Sequence, residues 1–165
     1  MTPSLRATVI RVSDELVGHL DDDRAGTLAE SLLTDLGVEV SRVAVPDDAG
    51  LLVAAVTSAI AHGSRLVMTC GGTGIGAKDR TSDVVSGLLT FQIPGIAEEI
   101  RRRGIAHAAP ALISREIAGV IVSATDTPAV FVLCAPGTRG GVKDTLDVIG
   151  PVLPYVFQQL DAAEH

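Results

Sequence analysis

An α/β fold, a three-layer α/β/α sandwich with a mostly parallel central sheet, is what this sequence predicts. Three observations carry the prediction. Apolar runs of strand length alternate with stretches of helical spacing along the chain. Hydrophobic residues make up 47% of the sequence and aromatics only 2%, a balance suited to aliphatic parallel strands under Ala- and Leu-rich helices. Two strand-like runs end in clusters of glycine just before a helix, the grammar of a strand–loop–helix unit. The 165 residues are read as one domain over 1–165.

Taken in order, residues 5–12 alternate and form the first strand, with Ser13 and Asp14 at its end. Asp21, Asp22 and Asp23 read as a solvated acidic loop. Leu28, Leu32, Leu33 and Leu36 recur at helical spacing, and Gly37 stops that helix. Residues 38–45 give a second strand. Pro46-Asp47-Asp48 follows, and either aspartate suits the N-cap of a helix over 51–60. Residues 65–70 form the third strand. Val84, Val85, Leu88 and Leu89 mark a short helix, and Pro94-Gly95 opens another that runs to Arg103. Its last turn carries Arg101, Arg102 and Arg103, read as a solvated face. Residues 110–116 are irregular or briefly helical. Two further strands, 119–122 and 129–134, precede a final helix from 142 toward 160, kinked at Gly150-Pro151.

The most informative stretch follows the third strand. Gly71, Gly72, Gly74 and Gly76 fall among six residues, then Lys78, Asp79 and Thr81, with Thr81, Ser82 and Asp83 able to cap the next helix. Such a turn presents backbone N–H groups as an anion-binding concavity. A glycine-rich surface turn without a ligand is the plain alternative. Ala77 before Lys78 and Asp79 after it break the Walker A pattern, and the alternation of Gly72, Gly74 and Gly76 breaks the dinucleotide fingerprint. Residues 136–141 repeat the glycine-rich grammar after the last strand. All these loops, with Asp14 and Asp47, fall at strand carboxyl ends, where open α/β sheets bind ligands.

The cations Lys78, Arg115, Arg139 and Lys143 near two backbone cradles suggest phosphates. Asp47 and Asp79 beside phosphates would repel them without a divalent cation between, which points to a Mg²⁺-nucleotide site for phosphoryl or nucleotidyl transfer. A net charge of −7, a pI near 4.9 and the scarcity of aromatics argue against nucleic-acid or acidic-membrane binding. Cys70 and Cys134 read as buried free thiols, and no apolar run reaches membrane-spanning length, so a cytoplasmic protein is expected.

Thr69-Cys70-Gly71-Gly72-Thr73-Gly74 with Asp79 and Thr81 resembles the TTGGTG…RDxTP signature of the MogA/MoaB molybdopterin-binding family, which includes molybdopterin adenylyltransferases and the gephyrin G domain. Further matches in family order are Val12-Ser13-Asp14, Pro46-Asp47-Asp48, Pro94-Gly95 with Glu98 and Arg101, Ser114-Arg115, and Pro136-Gly137 with Gly141 to Leu146; Gly140, between the last two, and Lys143, within the last, are read as binding residues. Lys78 stands where the family usually has Arg, and Ser82 where it has Pro. The resemblance implies transfer of AMP from Mg-ATP to the terminal phosphate of molybdopterin, with release of pyrophosphate. It implies that Asp47 and Asp79 are the catalytic and metal-facing acids, and that the glycine loops hold phosphate. It also implies a homotrimer or hexamer and a molybdenum-insertion partner. A pterin-binding paralogue without robust transfer, or a scaffolding domain on the same fold, is the alternative that it leaves open.

Overall fold

The computed structural model describes residues 4–162. Strands β1 (Arg6–Val12), β2 (Glu39–Val45) and β3 (Leu66–Cys70) alternate with helices α1 (Arg24–Asp35) and α2 (Ala49–Ala61). After β3 come α3 (Thr81–Ser86), β4 (Phe91–Gln92) and α4 (Pro94–Ile105). Then β5 (Ile117–Ile121) and β6 (Val130–Ala135) precede α5 (Arg139–Ile149) and α6 (Leu153–Ala162). Short 3₁₀ turns cover Leu20–Asp22 and Ala109–Ile113.

The strands form one sheet in the order β2-β1-β3-β6-β5-β4. β2, β1, β3 and β6 pair in parallel, while β5 runs antiparallel to both β6 and β4. The two-residue β4 is too short to show a period and was not legible in the sequence. The final helix is two helices, because Pro151 lacks the N–H needed to continue α5.

The pleat sorts the core. Ala7 and Val9 of β1, Leu66 and Met68 of β3, and Phe131 and Leu133 of β6 face one layer, with Ala29 and Leu33 of α1 and Leu146 and Ile149 of α5. Ile10, Val67, Val130 and Val132 face the other, with Leu52 and Val56 of α2 and Val85 of α3. Leu33 is fully buried at 0% exposure, so truncation to Ala would cost about 2–5 kcal/mol. Arg11 falls in the same register as Ala7 and Val9, on the α1 side. Because the four parallel strands are neighbours, the loops after β1, β2, β3 and β6 gather on one edge.

Candidate functional site

The loop after β3 is folded around its own chain. Gly71 and Gly72 take φ of +107° and +69°, conformations that a side chain opposes. A Cβ on Gly71 would lie 2.6 Å from Val12 O, and one on Gly72 would overlap Thr81 Oγ1. The Gly71 N–H donates to Ala135 O at 3.0 Å, and the Thr81 N–H donates to Gly72 O at 3.1 Å. Asp79 Oδ2 accepts the Gly76 N–H at 2.9 Å, so the acid closes the turn that presents it. Arg80, not Thr81, Ser82 or Asp83, occupies the N-cap of α3, and its side chain makes no cap bond. Thr81 and Ser82 are instead buried, Ser82 Oγ donating to Arg115 O at 2.6 Å.

Arg115 holds this loop from outside. Its Nε donates to Gly74 O at 2.8 Å, Nη2 to Asp79 O at 2.6 Å and Nη1 to Asp83 Oδ1 at 2.9 Å. These three bonds make the Arg115 guanidinium a clamp on the loop.

On β2's side the ambiguity between two aspartates is resolved. Asp48 Oδ1 accepts the Leu51 N–H at 2.8 Å and caps α2, which leaves the Asp47 carboxylate uncommitted to the helix. The Asp47 backbone N–H donates to Asp14 Oδ1 at 2.8 Å, drawing the ends of β1 and β2 together. Desolvation, and then the Asp14 carboxylate, hold the Asp47 carboxyl above its usual range; Lys78 opposes this and Asp79 adds to it.

These groups share a crevice of about 500 Å³ lined by Ser13, Asp14, Asp47, residues 71–74, Lys78, Asp79, Gly137 and Arg11. A second cavity of about 320 Å³ shares Asp14, Asp47 and Lys78 with it and continues toward Leu52, Thr81 and Val84. Lys78 is exposed, its Nζ 4.0 Å from Asp14 Oδ2, a pairing worth little in water.

The loop after β6 divides. Gly137 faces the acidic crevice. Pro136, Gly140 and Gly141 instead line a separate apolar cavity of about 360 Å³, with Ser114, His107 and Glu116. Thr138 caps α5 by accepting the Gly141 N–H at 3.1 Å. Lys143 bonds Asp147 within α5, and Glu98 is exposed on α4; neither lines a crevice named above. Ser114 Oγ lies 3.5 Å from Thr73 Oγ1 and joins the apolar cavity to the first loop.

Three charged residues near these cavities were missed by the sequence reading, and a fourth, Arg101, was singled out only among the family matches. Asp23, taken as part of a solvated run, is 2% exposed and caps α1 through the Gly26 N–H. It lies 3.5 Å from both Arg11 Nε and Arg42 Nη2. The signal for Arg11 was parity, since it follows Ala7 and Val9 on the α1-facing side of β1, a strand covered on both faces. Glu116 is 2% exposed, and burial raises its carboxyl above the usual range. Arg101 turns inward, donating to Glu116 O at 3.3 Å, although the arginine run was read as solvated. Cys70 and Cys134 are free and buried, with both thiols pushed up to about 12 by burial.

A family model described as "Probable molybdopterin binding domain" matches residues 8–155. The chain belongs to this molybdopterin-binding family of molybdenum cofactor biosynthesis proteins. It is 34% identical over 160 residues to a molybdenum cofactor biosynthesis bifunctional protein of Synechococcus elongatus, covering 96% of the chain and 48% of that protein. The chain thus spans about half the length of the bifunctional relatives it matches. It is 32% identical over 142 residues to a molybdopterin adenylyltransferase of Pyrococcus furiosus, covering 86% of the chain and 82% of that protein. The crystal structure of the tungsten cofactor synthesizing protein MoaB from Pyrococcus furiosus superposes with a TM-score of 0.87 at 27% identity, covering 97% of the chain and 99% of that structure. The family's MogA/MoaB fold is therefore this chain's fold.

Proposed function

We propose that this chain binds molybdopterin and transfers AMP to its terminal phosphate from ATP. One observation carries the reading. The carboxylates of Asp47 and Asp79, from two different strand ends, share one crevice with the backbone of residues 71–74 and with Gly137. That is a place for phosphates beside acids. The similarity to a molybdopterin adenylyltransferase supports the same reading.

The acids fit a cation shared with substrate and not a cage made by protein alone. Among the described residues no group of three or more His, Cys, Asp or Glu side chains is arranged to hold a metal ion. Mg²⁺ commonly takes one or two carboxylates and completes its shell with phosphate oxygens and water. Asp47 and Asp79 would hold it here, and it would neutralise charge on the transferring phosphoryl group.

The chain's own residues would position the reactants. Backbone donors of residues 72–74 hold phosphate, and Arg115 keeps that loop rigid from behind. A phosphate oxygen of the pterin attacks the α-phosphorus of ATP; a new P–O–P bond forms as the bond to the β-phosphate breaks and pyrophosphate leaves. The attacking phosphate, with a pKa near ~6, is already largely ionised at neutral pH, so no strong general base is required. Ser114 and the apolar cavity beside Thr73 offer a neighbouring surface for the rest of the pterin.

Mg-ATP-dependent AMP transfer to molybdopterin tests the reading, comparing the parent with Asp47→Ala and Asp79→Ala. Transfer is expected to fall at least about a hundredfold in each variant, with pterin affinity measured separately and kept. Pterin binding without transfer by the parent would leave the binding paralogue in place of the enzyme. We further propose a cytoplasmic homotrimer. No helix among the described residues is long and apolar enough to cross a membrane, and exposed Ile105, Leu112 and Ile113 offer an apolar contact surface. Sedimentation of the purified chain decides the assembly.

A further inference from the structure

Four buried side-chain atoms of the described residues lack any hydrogen-bond partner: Arg11 Nε, Asp23 Oδ2, Arg42 Nε and Glu116 Oε2. Three of the four belong to one cluster directly beside the acidic crevice. Asp23 is the only acid between two guanidiniums, 3.5 Å from each, and Arg42 has a second partner in Glu30 at 3.1 Å. Arg11 has none. Its Nη1 donates to two neutral acceptors, Gly137 O at 2.8 Å and Cys70 O at 3.5 Å. A partly satisfied charged network in low dielectric is costly and calls for an explanation beyond stability.

Arg11 also lines the crevice, with Gly71, Gly72 and Gly137 around it. A Cβ on Gly137 would lie 2.7 Å from Arg11 Nη1, so glycine there is what lets the loop settle on the guanidinium. The two carbonyls drawn onto Nη1 are acceptors that would otherwise repel an anion. The remaining lining side chains include four acids, Asp14, Glu15, Asp47 and Asp79, against a single lysine, Lys78, which is exposed. A crevice that holds phosphate among those acids needs a fixed cation, and Arg11 is the one anchored in the fold.

We propose that Arg11 is a phosphate-binding residue of this crevice, with Asp23 and Arg42 as the positioning residues that fix its guanidinium between the two glycine loops. The assignment rests on the proposed function for which phosphate it takes, but not for the presence of phosphate. Guanidinium–phosphate bonds are charge-assisted and strong, so their loss is readable in binding.

Inorganic pyrophosphate, with and without Mg²⁺, is titrated calorimetrically into the full chain and into Arg11→Gln and Arg11→Lys. Arg11→Gln is expected to weaken binding about tenfold or more, and Arg11→Lys to retain part of it. A folded Arg11→Gln chain that binds pyrophosphate as the parent does overturns the proposal. Because Arg11→Gln strips Asp23 of a buried partner, the parent's Arg11 guanidinium ¹⁵N resonances are also followed during the titration. A shift at saturation supports the assignment, and an unmoved signal overturns it. ATP and molybdopterin titrations then separate the sources: selective loss of ATP affinity assigns Arg11 to the nucleotide, selective loss of pterin affinity to the pterin phosphate, and loss of neither overturns it. AMP transfer by Arg11→Gln at unchanged KM for both substrates defeats this assignment alone. Pyrophosphate binding through Arg11 in a chain that transfers no AMP defeats adenylyl transfer alone.

Discussion

The two glycine-rich loops share one sequence grammar but are built on different physical grounds. In residues 71–76 the first two glycines are sterically required, because both take positive φ and Val12 O and Thr81 occupy the space where their Cβ atoms would lie, whereas a Cβ on Gly74 or Gly76 would meet only the movable carboxylate of Asp79. In residues 136–141 the requirement is uneven. Gly137 is pressed against Arg11 and Gly71, Gly141 against Pro136, and a Cβ on Gly140 would meet nothing within 4 Å. A glycine cluster is therefore not one signal. Some of its members make room for the fold, some make room for a guanidinium, and one simply begins a helix.

Substitutions break the comparison at graded strengths. Gly72→Ala is expected to do the most damage, since it forces a side chain into φ of +69° and onto Thr81. Chemical denaturation should show a loss of about 2 kcal/mol or more. Arg115→Ala removes the clamp on the same loop and should lower unfolding free energy by about 2 kcal/mol, with phosphate affinity falling alongside. In the second loop Gly140→Ala should be neutral or stabilising by up to about 0.5–1 kcal/mol, read as a raised Tm.

Two acids sharpen the contrast by pH. The Asp47 carboxyl should titrate above an ordinary aspartate in ¹³C NMR, moving down in Asp14→Asn and further up in Lys78→Met. Glu116 tests the apolar cavity. Its raised carboxyl means that the native chain binds that proton more tightly than the unfolded chain does. Its contribution to stability is thus fully present below the unfolded pKa and is lost as pH rises through the raised folded one. Glu116→Gln should therefore gain on the parent in Tm as pH rises above the ordinary glutamate range, and equal slopes for the two would refute a raised carboxyl.

Much of the architecture was legible without coordinates. Alternation in residues 5–12 and 38–45, helical spacing in 28–36 and the terminator Gly37 are local signals, and the strands and α1 stand where these signals put them. The carboxyl-edge placement of residues 13–14, 47, 71–79 and 136–141 follows from strand–loop–helix order alone. What Arg11 and Arg115 do was decided by partners far away in the chain. Asp48 could be chosen over Asp47 as the cap only once the helix start was fixed. Arg115 reads as a free cation until Gly74, 41 residues earlier, is seen to accept its Nε–H. Arg11 reads as one polar residue in a strand until Gly137, 126 residues later, accepts its Nη1–H and Asp23 closes over it. Periodicity reports which face a residue takes, because the pleat and the helix turn are local. Hydrogen bonds and ion pairs form wherever the folded chain brings a donor to an acceptor, and only the tertiary structure decides that.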